Sequence, residues 1–246
     1  MKLTRVDFIG FPVDNVGLPE LLDFVEQSIK EDSSHLIAVQ NANKMYLSTK
    51  HPVLRGAINS ASIILPENAI NMGMRLLGKP LKQRNMGGVC VMEHLLKLAN
   101  EKAYSIYLLG AMQNNLETLV DRIKADYPGI VVTGFRNGYF QQDQETTVAS
   151  EIGKLKPNFL FVGMGSPKQE LFMTAYSHML SANIKLGVGG SFNVIAGLEK
   201  PAPYWTKYGL EWLYRSIHDP QKLKRYLRIN SFFLYRLLRY LTLRKA

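Results

Sequence analysis

Six short, largely apolar runs punctuate this chain, at Leu36–Val39, Ser62–Leu65, Tyr104–Leu109, Ile130–Thr133, Phe159–Val162 and Lys185–Val188, and each reads as a β-strand. Longer segments lie between them. In Pro19–Lys30, Val89–Lys102, Asn114–Tyr127 and Glu145–Leu155 apolar residues recur at three- and four-residue spacing, which predicts helices. Leu116, Leu119, Val120 and Ile123 show the pattern. Several strand runs are apolar almost without a break, as strands covered on both faces are. The alternation predicts a mostly parallel sheet between layers of helices, with ligands gathered at the carboxyl ends of the strands.

The alternation stops at Pro201-Ala-Pro203. An aromatic, helix-like stretch follows (Tyr204, Trp205, Tyr208, Trp212, Tyr214), and Asp219-Pro220 breaks the chain again. Two parts are expected: a core at 1–199 and a helical appendage at 200–246. Charge divides the same way. The net charge is +10, and eight Lys and Arg residues with no acid lie in 222–246, so the body is nearly neutral. A basic block of this kind suits an anionic surface. On a helix of about 100° per residue, Arg225, Arg228, Arg236 and Arg239 gather on one side. Leu223, Leu227, Leu234, Leu237, Leu238 and Leu241 gather opposite, the form of an interfacial anchor. Packing of the leucines on the core is the competing reading. Cys90 is the only cysteine, which fits a reducing cytosol, and no 18-residue apolar stretch suggests a membrane-spanning helix.

Two strand exits stand out. Phe159–Val162 runs into Gly163-Met-Gly165-Ser166-Pro167-Lys168-Gln169-Glu170, and Lys185–Val188 runs into Gly189-Gly190-Ser191-Phe192. Ser166, Pro167 and Gln169 read as a capping box and a first helical turn. That leaves Gly163, Gly165 and Lys168 over for a phosphate-binding helix start. The residues alone leave a capped helix and a binding site both open. Neither G-x-G-x-x-G nor G-x-x-x-x-G-K-[ST] is present, so no dinucleotide fingerprint or P-loop is indicated.

The blocks GMGSPKQE, GVGGSFNVIAG and PAPYWTKYGLEWLYRSIHDPQKLKRY, with FIGFPVDNV, VQNANKMYL, RLLGKPL and DYPGIVVTGFRNGYF upstream, resemble those of the TagA/WecG/CpsF glycosyltransferases over nearly the whole chain. The resemblance implies a Rossmann-like α/β core with a C-terminal, membrane-associating helical appendage. It implies transfer of a sugar, N-acetylmannosamine or a related hexose, from a UDP-sugar to a polyprenyl-diphosphate-linked acceptor during assembly of a bacterial surface polysaccharide. It implies an enzyme in the cytoplasm, bound peripherally to the inner face of the cell membrane, and leaves a homo-oligomer open. The expected donor-site residues are Gly163, Gly165, Ser166, Lys168, Gln169, Gly189, Gly190, Ser191 and Phe192. For catalysis the candidates are Glu67 as base, with Asn41, and Glu170 as the runner-up. Arg215, Arg225 and Arg228 are candidates for the acceptor diphosphate. The chain departs from the family pattern in having Leu65-Pro66-Glu67-Asn68 where an Asp-Gly pair is common, Val39 for a threonine, and Asn193 for an aspartate.

Transfer to an alcohol needs a base near the acceptor hydroxyl and stabilisation of the departing diphosphate. No Asp-x-Asp occurs, and His35, His51, His94, His178 and His218 lack ligand spacing, so a site without metal or cofactor is expected. Two rivals remain: a non-catalytic, basic nucleic-acid-binding protein and an inactive relative of the family. The neutral body and the lack of a nucleic-acid motif weigh against the first, and no nucleic-acid partner is expected.

Overall fold

The computed structural model describes residues 4–83, 85–200, 214 and 223–243. An antiparallel hairpin opens the chain, with β1 at Arg5–Phe8 and β2 at Phe11–Asp14. The six expected strands then form one sheet: β3 (His35–Gln40), β4 (Ile63–Pro66), β5 (Ser105–Gly110), β6 (Val131–Arg136), β7 (Phe159–Gly163) and β8 (Ile184–Gly187). Their order is β4-β3-β8-β7-β5-β6, and every neighbouring pair is parallel.

Alternation along each strand divides the core. On one face Ile37, Val39, Phe159, Phe161, Ile184 and Leu186 meet α1 (Leu18–Lys30), α5 (Gly88–Lys102), α6 (Gln113–Asp126) and the short α9 (Ser191–Ile195). On the other, Ala38 and Ile64 meet α2 (Ala42–Ser48), α3 (Pro52–Asn59) and α4 (Asn68–Leu76). Leu160 and Val162 on that face meet α7 (Glu145–Leu155) and α8 (Lys168–Ala175). Each wholly buried Phe, Leu or Ile contributes roughly 1.5–3 kcal/mol, so the two-sided burial of the central strands is the main stabilising term. The chain leaving β7 turns to one face as α8, and the chain leaving its neighbour β8 turns to the other as α9. Two adjacent exits that diverge in this way open a crevice at the carboxyl edge.

The hairpin and α2, α3 and α4 are not legible in the sequence pattern. The helices are seven to nine residues long, too few turns to establish a period. The hairpin turn places Ile9 at φ 54° and Gly10 at φ 82°. A β-branched residue there is strained, and two arginines hold it. Arg55 donates to the Gly10 carbonyl at 2.8 Å and Arg236 to that of Ile9 at 3.0 Å. Both guanidinium groups also lie over the Phe11 ring, at 5.3 and 5.4 Å. The hairpin is fastened to the sheet by wholly buried Asp14, which takes two bonds from Arg5 and one, at 2.7 Å, from the Ile64 amide.

The tail forms α10 (Leu223–Leu243), and its faces differ from the two-sided expectation. Ile229, Phe233 and Leu237 are buried in the core beside α2, α4 and the hairpin, and Phe233 stacks on Phe8 at 5.8 Å. Leu237 and Arg236, expected on the exposed faces, are thus turned inward. The competing reading, packing on the core, holds for Ile229, Phe233 and Leu237. Leu223, Leu227, Leu234 and Leu238 make a separate solvent-facing stripe, 38%, 48%, 54% and 53% exposed. Arg225, Arg228 and Arg239 are exposed. Among the described residues no helix is long and apolar enough to cross a membrane.

Candidate active site

The carboxyl edge of the sheet brings most of the expected residues into one row. From β4 to β7 the strand exits are Pro66-Glu67, Gln40-Asn41, Gly189-Gly190 and Gly163–Gly165. With neighbouring strands about 4.8 Å apart, the row from Glu67 to Gly163 spans roughly 14 Å.

Glu67 occupies the N-cap position of α4 and is partly exposed, and its amide donates to the Gln40 carbonyl at 3.0 Å. It borders Gly87, where a Cβ would come within 3.4 Å of the Glu67 carboxylate. A Cβ on the next residue, Gly88, would meet the Ser191 hydroxyl at 2.9 Å and the Val188 carbonyl at 3.3 Å. The start of α5 therefore packs between Glu67 and the turn after β8. Asn41 caps α2, its side-chain oxygen accepting from the Lys44 amide at 2.9 Å.

Gln169 ties the two glycine turns together. Its Oε1 accepts from the Gly165 amide at 3.2 Å and from the Gly189 amide at 3.1 Å, and its Nε2 donates to Glu170 Oε1 at 2.7 Å. The capping box expected at Ser166 and Gln169 is not formed. α8 begins one residue later, at Lys168, after a cis Ser166–Pro167 bond, and the Gln169 carboxamide is committed to the turns instead. Both it and Glu170 are buried, 2% exposed. Glu170 Oε1 also pairs with Lys44 at 2.8 Å, while Oε2 is buried without a hydrogen-bond partner.

The glycines divide by role. Gly163 is required by packing: a Cβ there would sit 2.7 Å from the Phe192 ring, and a Cβ on the facing Gly110 would strike the Gly163 backbone. Packing therefore accounts for Gly163, one of the two glycines for which the capping box gave no reason. Gly165, at φ 76°, and Gly190 have nothing within 4 Å of an added Cβ, so these two turns present bare backbone. Ser191 spends its hydroxyl on the Val188 carbonyl at 2.7 Å, and Phe192 is buried against Gly163. Lys168 does not stand over its helix start. Its Nζ donates to the Gly138 carbonyl at 3.0 Å and lies 4.6 Å from the Phe140 ring centre. There it lines a cavity of about 350 Å³ bounded by Ala111, Gly138, Tyr139, Gln141, Gly163 and Met164, at the exits of β5, β6 and β7. Ligand pockets begin near this size.

Sequence reasoning missed the cavity and Lys44. Lys44 is separated from Glu170 by most of the core in sequence, and no local spacing announces the pair. Asn193 links Asn115 at 3.2 Å to Glu199 at 3.1 Å. Of the acceptor candidates, Arg215 lies outside the described residues, as do Pro201–Pro203 and the aromatics Tyr204, Trp205, Tyr208 and Trp212. Arg225 stacks over Tyr226 at 5.3 Å. Arg228 reaches Tyr46, whose hydroxyl is held below its usual range first by a hydrogen bond with Lys50 and then by Arg228. No group of three or more His, Cys, Asp or Glu able to hold a metal occurs among the described residues.

A parallel sheet with glycine turns, a carboxylate and a cavity at its carboxyl edge is the arrangement in which α/β proteins bind their ligands. The particular family is shown by comparison. Residues 6–246 match the "Glycosyl transferase WecG/TagA/CpsF family", and the chain belongs to it. Similar proteins include the N-acetylglucosaminyldiphosphoundecaprenol N-acetyl-beta-D-mannosaminyltransferases of Bacillus subtilis (33% identical over 92% of this chain and 88% of that one) and Bacillus spizizenii (32%, over 86% of each). That of Staphylococcus aureus strain MW2 is 30% identical over 95% of this chain and 92% of that one. The chain is a glycosyltransferase.

Proposed function

We propose that the protein transfers N-acetylmannosamine from its UDP derivative to N-acetylglucosaminyl-diphosphoundecaprenol, in the assembly of a surface polysaccharide. The relatives' names give the acceptor and the transferred sugar. The observation that carries the reading is the row along the carboxyl edge: a partly exposed carboxylate at one end, two open glycine turns at the other, and a cavity beyond them.

The diphosphate of the donor lies over Gly165 and Gly190, whose backbone a side chain would otherwise screen. Its nucleoside end enters the cavity beside Lys168. The sugar then points back along the row toward Glu67, which takes the proton from the acceptor hydroxyl as that oxygen attacks the anomeric carbon. UDP departs with the electron pair of the broken bond, its charge met by backbone N–H groups and cations. Glu67 suits the base better than Glu170 because it is partly exposed, whereas Glu170 is buried with one oxygen already shared by Lys44 and Gln169. Asn41 supports the same edge by fixing the start of α2. No step in this scheme draws on a metal or cofactor.

The acceptor's polyprenyl chain stays in the bilayer, so the enzyme meets it at the surface. The stripe of Leu223, Leu227, Leu234 and Leu238 enters the interface, and Arg225, Arg228 and Arg239 meet anionic head groups and the acceptor diphosphate. Each near-surface cation contributes about 1 kcal/mol. The test is transfer of labelled sugar from UDP-N-acetylmannosamine to the lipid-linked acceptor in anionic vesicles. We expect transfer there, and a marked loss of vesicle binding when Leu227, Leu234 and Leu238 are replaced by Gln. Transfer from other UDP-sugars only would overturn the donor, and unchanged vesicle binding of the leucine variant would overturn the anchoring role.

A further inference from the structure

The geometry points to Lys44 as a positioning residue for the donor turns, acting through Glu170 and Gln169, an inference that rests on the donor-site reading above. Four bonds make one continuous chain. Lys44 Nζ meets Glu170 Oε1 at 2.8 Å, the same oxygen accepts from Gln169 Nε2 at 2.7 Å, and Gln169 Oε1 accepts from Gly165 at 3.2 Å and Gly189 at 3.1 Å. Lys44, Gln169 and Glu170 are respectively 4%, 2% and 2% exposed, so water does not stand in for a lost partner.

The direction of the Gln169 carboxamide decides whether the turns are held. Only its oxygen can accept the two glycine amides, and a carboxamide turned end for end would present N–H to N–H. Glu170 Oε1 fixes the orientation by accepting from Nε2. Lys44 in turn supplies the charge that a buried carboxylate needs, since removing one partner of a buried pair leaves the other uncompensated. Lys44 is itself well anchored: its backbone amide is bound by Asn41 at 2.9 Å, at the exit of β3. Gly165 and Gly189 both have positive φ, 76° and 53°, conformations open to glycine across a wide range and therefore in need of an external tie. Nothing in this chain of bonds places Lys44 against substrate. Its effect is on whether two backbone N–H groups, in the turns that follow β7 and β8, keep one arrangement.

Two variants test it, Lys44→Met and Lys44→Met/Glu170→Gln. The second removes the stranded charge while keeping an oxygen for Gln169 Nε2. In Lys44→Met we expect amide exchange at Gly165 and Gly189 to quicken, and UDP affinity and donor KM to worsen, by about tenfold, the scale of a lost hydrogen bond. Its kcat at saturating donor should stay within about twofold, because the chemistry is not touched. In the double variant the two amides and UDP affinity should return toward the wild-type values. Unchanged exchange in Lys44→Met, a fall in kcat alone, or a double variant as impaired as the single would overturn the proposal. Should Lys44→Met fail to fold, the double variant decides alone: protected amides sustain the proposal and exposed ones end it. Wild-type protein that bound no UDP would refute the donor site and leave the exchange result at the two glycines to stand.

Discussion

Two buried lysines lie toward opposite ends of the sheet, and they are used differently. Lys44, past the carboxyl end of β3, has a carboxylate partner and leads into the glycine turns. Lys185, near the amino end of β8 and 3% exposed, donates to the Ser34 hydroxyl at 2.7 Å, which passes on to the Ala182 carbonyl. Burial pushes the Lys185 ammonium below its ordinary range. Around it His35 is held between Ser33 and Ser62, and Asn158 binds Ser105 and Asn183. The amino end spends its polar groups on closing the sheet. The carboxyl end ties its polar groups together around bare backbone. Opposite ends of the same strands thus divide a closed polar network from the edge at which parallel sheets generally bind ligands.

The comparison is tested most severely at Glu67. Glu67→Gln should lower turnover by roughly 10²–10⁴-fold, the usual value of a positioned base, with UDP affinity and melting temperature little changed. Near-normal turnover would remove Glu67 from the chemistry. At the other end the effects should be on stability alone. Lys185→Met should leave turnover intact and be neutral or stabilising at pH 7, since it removes a buried charge that has no carboxylate partner among the described residues. In the wild type the folded value of Lys185 lies below the 10.5 of a free lysine. Between those two values the unfolded chain binds more protons, so stability rises with pH, and Lys185→Met should remove the rise. An acid-side slope is expected from His35, lowered from 6.5 first by burial and then by the Lys185 charge. Its stability contribution should be lost as pH falls below about 6.5 toward the folded value, and denaturant titrations across pH would show both slopes. A turnover change in Lys185→Met would break the division of labour.

The strand–helix alternation made the sheet legible, because six apolar runs and four well-periodic helices carry their own signal. What it left dark is local or distant. Helices α2 to α4 are too short for a period, and the hairpin turn depends on Arg55 and Arg236, which lie far along the chain. The glycine turns were visible as composition, yet the role of each depends on neighbours. Gly163 is set by Phe192 and Gly110, and Gln169 by a second turn twenty residues on. Charge spacing placed Arg236 on a solvated face, but Phe11 and the strained carbonyl of Ile9 draw it inward.

Phe8 and Ile9 of the hairpin are covered by Phe233 and Arg236, and the Arg236–Ile9 bond joins residues 227 positions apart. At roughly 5–20 residues per second, a ribosome makes the hairpin some ten to forty-five seconds before its cover. Through that interval the hairpin has α2, α3 and α4 to pack against but lacks the cover that α10 gives Phe8 and Ile9. The cluster that begins with the hairpin is thus completed only when α10 has been made, because Ile229, Phe233 and Leu237 are part of it.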